Sequence, residues 1–181
     1  MNKQELRKQI RAAKRAVPFC EKLNRSRLIM SQVDGLDQFV QADVVLLYWS
    51  MEDEVQTHEF VEKWYKTKTI LLPCVDGDDL LLRQYTGKDC MQKGEQFGIE
   101  EPTGETFTDL NRIKAIIVPG VAFDNEGHRM GRGRGFYDRL LKATPNAYKI
   151  GVCFDFQIVN HVPVEPHDVN MNVVISEPVN L

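Results

Sequence analysis

The sequence predicts an α/β fold with three layers, in which a largely parallel β-sheet lies between helices. Short apolar runs rich in β-branched residues alternate with segments of helical spacing, which is the pattern of successive βαβ units. The run at 42–49 is apolar almost throughout, as expected for a strand buried on both faces of a parallel sheet. Because the chain has 181 residues, we expect one domain, 1–181, with a small irregular excursion.

The first predicted element is an amphipathic helix over 3–16, which Pro18 ends. Its apolar positions, spaced by four, three and four residues, are Leu6, Ile10, Ala13 and Val17. Lys3 and Arg7 are four positions apart, so their side chains point the same way. The basic side chains of this helix form either a solvated face or, at Lys3 and Arg7, a pair of cations over a phosphate group.

A second helix is predicted over about 21–35, followed by the strand at 42–49. Acids stand directly after that strand, where open α/β sheets bind ligands: they are Glu52, Asp53 and Glu54. Acids also suit the start of a helix, and a helix is predicted to run from this point to about residue 66. The pattern leaves both roles open.

The rest of the chain continues the alternation. Strands are predicted at 69–73, 80–85, 113–118, 148–154 and 172–176, with a turn at 76–79. Residues 86–108 are rich in Gly, Pro, Lys and Glu around one apolar island, 97–99, which predicts an irregular excursion long enough to have a function. Helices are predicted at 137–144 and, as a short piece, within 155–162, before a proline-rich loop at 163–168.

The composition excludes several classes of protein. A net charge of −3 gives no general affinity for polyanions. The four cysteines lack C-x-x-C or metal-ligand spacing, which predicts free thiols in a reducing compartment. No apolar run approaches the roughly 18 residues of a membrane span, and the charged N-terminal segment lacks the apolar core of a signal peptide. We therefore expect a cytoplasmic protein that binds neither membrane nor nucleic acid.

A glycine-rich segment between the strand 113–118 and the helix 137–144 is the strongest candidate site. It reads Arg129-Met-Gly-Arg-Gly-Arg-Gly-Phe-Tyr-Asp138. Alternating glycines let a ligand approach the backbone, so that successive N–H groups form an anion site beside a helix N-terminus. Arginine adds full charge and forked donors suited to phosphate or carboxylate. The other interpretation is a flexible, solvated loop with scattered arginines.

Two common phosphate motifs do not fit this segment. Phe136 stands where the third glycine of G-x-G-x-x-G would fall, and no G-K-[ST] occurs in the chain. Residue types and spacing alone therefore predict a phosphate-binding α/β protein without naming its substrate.

Five segments of the chain resemble one known family. Val118-Pro-Gly-Val-Ala-Phe-Asp124 and Gly127-His-Arg-Met-Gly-Arg-Gly-Arg-Gly-Phe-Tyr-Asp138 together resemble the signature of the 5-formyltetrahydrofolate cyclo-ligase family. In the same order, the other matches are Lys3-x-x-x-Arg7, Ser50-Met-Glu-Asp-Glu54-Val, Gly94-Glu-Gln-Phe-Gly-Ile-Glu-Glu-Pro102, and Phe154-Asp-x-Gln157 with Val162-Pro-Val-Glu-Pro-His-Asp168-Val. The resemblance spans nearly the whole chain. It implies a Rossmann-like fold of the general kind shared by sugar-phosphate isomerases and CoA transferases.

The resemblance also implies an activity and a set of site residues. Members of the family are ligases of one-carbon metabolism that use ATP and Mg²⁺ to close 5-formyltetrahydrofolate into 5,10-methenyltetrahydrofolate. The formyl oxygen attacks the γ-phosphate, folate N10 attacks the resulting iminium phosphate, and phosphate leaves. The implied ATP-binding residues are Lys3, Arg7, Arg129, Met130, Gly131, Arg132, Gly133, Arg134, Gly135, Phe136 and Tyr137. The implied folate-binding residues are Trp49, Glu54, Arg132, Arg134 and Tyr137.

The resemblance assigns the remaining roles as well. Asp138 and Asp168 are the implied Mg²⁺ ligands, and Arg134 and Tyr137 are the implied catalytic residues. The expected partners are small molecules only, and we expect a monomer.

Three positions depart from the family pattern. Phe136 replaces a frequent tyrosine, Asn172 replaces a frequent acid, and Trp49 is bulkier than the aliphatic residue of some relatives. Trp49 could change the fit of folate or simply fill the pocket. Two other functions stay open from the residues: an isomerase or CoA transferase of the same general fold with Glu54 as its catalytic carboxylate, and an RNA-binding module that uses 132–135.

Overall fold

The computed structural model describes residues 1–95 and 98–178. Within them the α-helices are α1 (Lys3–Ala16), α2 (Phe19–Asp34), α3 (Asp37–Val40), α4 (His58–Trp64) and α5 (Phe136–Ala143). The strands are β1 (Val44–Leu46), β2 (Thr69–Asp76), β3 (Asp79–Gln84), β4 (Met91–Lys93), β5 (Glu100–Pro102), β6 (Ala115–Val118), β7 (Ala122–Phe123), β8 (Arg129–Met130), β9 (Tyr148–Val152) and β10 (Val173–Ile175). Every strand expected from the sequence is present, although several are shorter or longer than predicted.

Six of these strands form one sheet in the order β10-β9-β6-β1-β2-β3. All neighbours in it are parallel except β2 and β3, which form an antiparallel hairpin at one edge. The centre of the sheet is β1, where Val45 pairs with Ile70 on one side and Ala115 on the other. The predicted α/β class and largely parallel sheet are therefore confirmed.

Helices cover both faces of the sheet. Successive residues of β1 point to opposite sides, so its apolar side chains pack against helices on each face. Val45 belongs to an apolar cluster with Ile29 of α2 and Phe60 of α4. Its neighbour Val44 belongs to a second cluster with Leu140 of α5. The two clusters are the two interfaces of a three-layer structure, as predicted.

Helix α1 has the bounds that the sequence predicts and packs outside the sheet. Its apolar stripe buries Leu6 and Ile10 against Ala122 of β7 and Met130 of β8. The side chain of Asn2 accepts a hydrogen bond from the Glu5 N–H at 2.9 Å, and the Glu5 carboxylate accepts one from the Asn2 N–H at 3.0 Å. This capping box fixes where the helix begins, and the packing places its basic side chains beside the glycine-rich segment.

The predicted helix 50–66 is wrong in its first half, because only α4 is helical and the preceding residues form a loop. Buried hydrogen bonds hold this loop. The Tyr48 hydroxyl donates to the Val55 carbonyl at 2.7 Å, and the Thr57 hydroxyl donates to the Tyr48 carbonyl at 2.5 Å. The acids in the loop precede the helix and do not form its first turn; they are Glu52, Asp53 and Glu54.

Smaller differences occur elsewhere. Helix α2 begins two residues before the predicted start, with Pro18 at its N-cap. The short helix predicted within 155–162 is a single 3₁₀ turn, Asp155–Gln157, because the Gln157 side chain turns back to accept the Phe154 N–H at 2.9 Å. The excursion contains the small hairpin β4–β5, and its predicted apolar island, 97–99, lies partly outside the described residues.

The ring of Phe123 ties the hairpin β7–β8 to the sheet. Phe123 is fully buried, and two glycines make room for it. A Cβ at Gly120 would lie 2.6 Å from the Phe123 ring, and a Cβ at Gly151 would lie 2.7 Å from it. Because β8 forms the first two residues of the glycine-rich segment, this packing sets where that segment starts.

We expect Gly151→Ala to destabilise the fold by about 1–3 kcal/mol, the usual cost of overpacking a core. The added methyl group would meet the Phe123 ring at 2.7 Å and the Met171 side chain at 3.1 Å. Chemical denaturation followed by circular dichroism measures the free energy of unfolding. Gly35→Ala is the control, because Gly35 has φ −86° and an added Cβ there meets nothing closer than 3.6 Å. Equal losses in both variants would contradict the packing argument.

Candidate functional site

A cavity of about 640 Å³ lies beyond the carboxyl ends of β1, β2 and β6. Apolar and acidic side chains come from the loop after β1 and from the β2–β3 hairpin, among them Trp49, Met51, Glu54, Pro73, Val75 and Leu80. Cations come from α1 and from the glycine-rich segment, and further acids come from 165–168. The cavity therefore combines a partly apolar wall with a cationic one.

Every site residue implied by the family resemblance lines this one cavity. They are Lys3, Arg7, Trp49, Glu54, Arg129, Met130, Gly131, Arg132, Gly133, Arg134, Gly135, Phe136, Tyr137, Asp138 and Asp168. The sequence reasoning missed other lining residues, including Ile99, Glu101, Glu165 and His167. They stand in the two segments that resemble the family's middle loop and C-terminal region, but neither match marks them as site residues. Only the folding of the β4–β5 hairpin and of the loop at 163–168 brings them to the cavity.

The glycine-rich segment is held against α1. The Arg7 Nε–H donates to the Gly131 carbonyl at 3.2 Å. Gly133 has φ +112°, and a Cβ there would lie 3.5 Å from the Arg7 guanidinium. Gly135, with φ +71°, is the N-cap of α5 and provides no side-chain cap. No side chain of the described residues is recorded as accepting the first-turn N–H groups of α5 at the edge of the cavity, an arrangement that suits an anion.

Arg129 organises the floor of the site. Its side chain is buried, its Nε–H donates to the Pro119 carbonyl at 2.7 Å, and its guanidinium carbon lies 5.2 Å from the centre of the Tyr137 ring. One Nη atom lies 3.7 Å from an Asp138 carboxylate oxygen. Burial lowers the pKa of Arg129. Burial also raises the pKa of Tyr137, helped by the Glu54 carboxylate, so its hydroxyl stays protonated and is a hydrogen-bond donor.

Glu54 and Arg132 form an ion pair in the cavity wall. Glu54 Oε2 accepts the Met51 N–H at 2.9 Å, and Oε1 lies 3.3 Å from Arg132 Nη2. Burial raises the pKa of Glu54 above its usual range, although the Met51 N–H and the Arg132 charge oppose this. Arg134, by contrast, is nearly half exposed, with its guanidinium 5.0 Å from the centre of the Phe136 ring.

Trp49 stands in the apolar part of the wall within an aromatic stack. Its ring lies 3.7 Å from the His58 ring and nearly parallel to it, and 5.6 Å from the Tyr85 ring. His58 Nε2 lies 3.0 Å from the Ser50 carbonyl. Burial lowers the pKa of His58, and the hydrogen bond to Ser50 only partly opposes this, so the stacked imidazole is neutral near neutral pH.

Carboxylates suited to a hard cation line the cavity at two places. Glu165, His167 and Asp168 each offer a ligand atom, and these atoms lie within 4.8 Å of one another. Asp168 also accepts the Glu165 N–H at 2.8 Å and lies 3.8 Å from Lys3 Nζ. Asp138 stands beside Arg129. Oxygen donors of this kind fit Mg²⁺, which is usually held by one or two carboxylates together with substrate phosphates.

A cationic glycine-rich segment at the carboxyl edge of a parallel sheet defines the class: an α/β protein that binds an anionic ligand beyond the strand ends. The model of the 5-formyltetrahydrofolate cyclo-ligase family matches residues 1–177. The chain belongs to this family, which confirms the family and the enzyme class that the sequence predicts. Within the described residues, no helix combines the length and apolar character needed to span a membrane.

Individual relatives agree along nearly their whole length. The 5-formyltetrahydrofolate cyclo-ligase of Mus musculus is 27 % identical, with 97 % of this chain and 93 % of that protein covered. That of Haemophilus influenzae is 30 % identical, with 92 % and 93 % covered. The NMR structure of 5,10-methenyltetrahydrofolate synthetase from Aquifex aeolicus is 34 % identical and superposes with a TM-score of 0.85 over 97 % of this chain and 89 % of that one.

We expect Arg129→Lys to lower the free energy of unfolding by about 1–3 kcal/mol, because it removes the Nε–H that the Pro119 carbonyl accepts. An ammonium group is also a poorer partner than a planar guanidinium for the face of the Tyr137 ring. Thermal and chemical denaturation measure the effect. Arg11→Lys changes an exposed arginine on α1 and should stay within about 0.5 kcal/mol of the unmodified protein. An unchanged free energy of unfolding in Arg129→Lys would contradict the conclusion that the contacts of Arg129 hold the site together.

Proposed function

We propose that this chain cyclises 5-formyltetrahydrofolate to 5,10-methenyltetrahydrofolate, with ATP as phosphate donor, Mg²⁺ as metal ion, and ADP and phosphate as the other products. The observation that carries the proposal is that one cavity gathers the cationic glycine-rich segment, the aromatic and acidic wall after β1, and two carboxylates for a cation. The family's reaction needs a nucleotide site, a folate site and a metal site next to one another.

For the nucleotide, we assign the phosphates to the glycine-rich segment and the N-terminus of α5. Backbone N–H groups at a helix start favour anions, and arginine and lysine add charge. Lys3 and Arg7 reach the same cavity from α1. Lys3 lies 3.1 Å from the Glu165 carboxylate, and the hydrogen bond of Arg7 to Gly131 keeps its guanidinium beside the loop.

For the folate, we assign the wall formed by the loop after β1. Trp49 offers a ring on which a pterin or aminobenzoyl group can stack, and its stack with His58 limits its rotation. The Glu54 carboxylate is an acceptor suited to the N–H edge of a pterin. Tyr137, which lines the same cavity, would contribute a neutral hydroxyl.

In phosphoryl transfer the protein contributes mainly by positioning the reactants and neutralising charge. The formyl oxygen attacks the γ-phosphorus and the bond to ADP breaks; N10 then attacks the formyl carbon and loses its proton, and phosphate leaves with the formyl oxygen. Arg134 and the protonated Tyr137 would donate hydrogen bonds to the charge that develops on the transferred group. When bound, Mg²⁺ supplies a hard cation for the phosphates, and the Asp138 and Asp168 carboxylates would hold it.

The decisive experiment mixes purified protein with 5-formyltetrahydrofolate, ATP and Mg²⁺ and follows the absorbance band of the methenyl product. We expect a rise that requires all three additions. A non-hydrolysable ATP analogue is the control, because it should bind without supporting the rise. No rise, with ATP binding still detectable, would keep the phosphate site and refute the folate reaction.

We expect Glu54→Gln to raise the KM for folate by about ten-fold, the scale of one lost hydrogen bond to a charged group, with a smaller effect on the KM for ATP. In the unmodified protein, kcat/KM for folate should fall on acidification at a pH above the ordinary glutamate value of 4.5, because burial raises the pKa of Glu54. Glu54→Gln should not show this fall of kcat/KM on acidification. Glu52→Gln, which changes an exposed neighbour, is the control. If Glu54→Gln raised the KM for ATP more than the KM for folate, the assignment of the two substrates within the cavity would be wrong.

We expect Asp138→Asn to raise the Mg²⁺ concentration for half-maximal activity by about ten-fold or more, the scale typical of changes at metal sites. The neutral amide keeps the shape of the side chain but is a weaker ligand for a hard cation. Titration of activity with Mg²⁺ at saturating ATP measures the effect. Asp109→Asn, an exposed position outside the cavity, is the control, and an unaltered titration of Asp138→Asn would refute metal ligation.

A further inference from the structure

Arg132 is held by two carboxylates from the loop after β1. Its Nη2 lies 2.9 Å and 3.2 Å from the two oxygens of Asp53 and 3.3 Å from Glu54 Oε1. Among the residues that the structure describes, the hydrogen bonds of Arg132 all use Nη2. Its Nε–H and the two Nη1–H groups remain available to a ligand, since a guanidinium has five N–H donors.

Asp53 is in turn held by a buried cation from α1. Lys14 is 4 % exposed, and its Nζ lies 3.7 Å from Asp53 Oδ2. Burial lowers the pKa of Lys14, and the Asp53 charge opposes this. Burial alone would raise the pKa of Asp53, but the charges of Lys14 and Arg132 reverse the shift and keep the carboxylate ionised. A chain of alternating charge thus runs from α1 to the glycine-rich segment.

This row of alternating charges has one end in the cavity and the other outside it. Arg132 and Glu54 line the cavity, whereas Asp53 and Lys14 do not. Asp53 therefore holds Arg132 from outside the cavity lining, with its own side chain 41 % exposed. Arg132 itself is half exposed, so without a tether its long side chain would sample many rotamers, and ordering it on binding would cost free energy.

We propose that Asp53, backed by the buried Lys14, is the positioning residue of Arg132. It fixes the guanidinium over the cavity before substrates bind, with Nε and Nη1 directed to an anionic group. Arg7 holds the same loop at Gly131, so the glycine-rich segment has two tethers to α1, one direct and one through Asp53. This inference rests on the proposed function for the identity of the anionic group, which is a phosphate.

The first test is a double-mutant cycle on kcat/KM with Asp53→Asn, Arg132→Met and the double variant. We expect Asp53→Asn to reduce kcat/KM by about ten-fold when Arg132 is present, a coupling typical of residues in one ion-pair network, and to have less than about a two-fold effect in the Arg132→Met background. Equal losses in both backgrounds would overturn a role through Arg132. Glu52→Gln, which changes the exposed acid next to Asp53, should leave kcat/KM unchanged.

Asp53→Asn leaves Lys14 as a buried cation without its partner, which can destabilise the fold. If the melting temperature of Asp53→Asn falls, the cycle is repeated in a Lys14→Met background, where no buried charge is left unpaired. Asp53→Asn should again reduce kcat/KM in that background, because Arg132 loses its tether while the fold is kept. No reduction there would overturn the proposal.

A second measurement separates this inference from the proposed function. Hydrogen exchange of the amides at 131–135 in ligand-free protein should be faster in Asp53→Asn than in the unmodified protein and in Glu52→Gln. Unchanged exchange, in a protein that forms the methenyl product, would overturn the tether and leave the proposed function intact. If the unmodified protein forms no methenyl product, the proposed function fails. The tether would still be supported by faster hydrogen exchange at 131–135 in Asp53→Asn, together with a double-mutant cycle in which the affinity for a fluorescent ATP analogue replaces kcat/KM.

Discussion

The site depends on one buried charge, the guanidinium of Arg129. A buried cation is tolerable only when its donors find acceptors and a counter-charge, and Arg129 finds the Pro119 carbonyl after β6 and the Asp138 carboxylate on α5. Since Tyr137 also packs on its planar group, the end of a central strand and the start of a helix are brought together around one side chain. The glycine-rich segment has to span the remaining gap, and this constraint gives it a defined path.

Several of the cations that line the cavity are paired with carboxylates before any ligand arrives. Lys3 lies beside Glu165, Arg132 beside Asp53 and Glu54, and these pairs join elements that are distant in the chain. Side chains held in this way lose little freedom when an anion binds, which is the physical basis of preorganisation. The carboxylates thus do more than balance charge, because they determine where the cations stand.

Local physics accounts for the elements that the sequence predicts well. Helix α1 has an apolar stripe, a capping box and Pro18 after its end, so its bounds follow from residues within the segment. The buried strands follow from their apolar, β-branched runs. The helix predicted over 50–66 fails because the Tyr48 and Thr57 hydroxyls bind backbone carbonyls around the loop. The spacing of residues in the sequence does not indicate such contacts, because they form only once the two ends of this loop have been brought together by the fold.

Three features can be predicted without coordinates: the class of fold, the glycine-rich segment and, through five ordered segments, the family. These features are local in the chain, and residue spacing or a short motif carries them. Three other features emerge only from the folded chain: residues from Lys3 to Asp168 line one cavity, Asp53 accepts a hydrogen bond from Arg132, and Lys14 is buried beside Asp53. The reason is that parallel strands align their carboxyl ends at one edge, so that distant loops meet there, and which side chains then pair depends on distances that spacing along the chain does not contain.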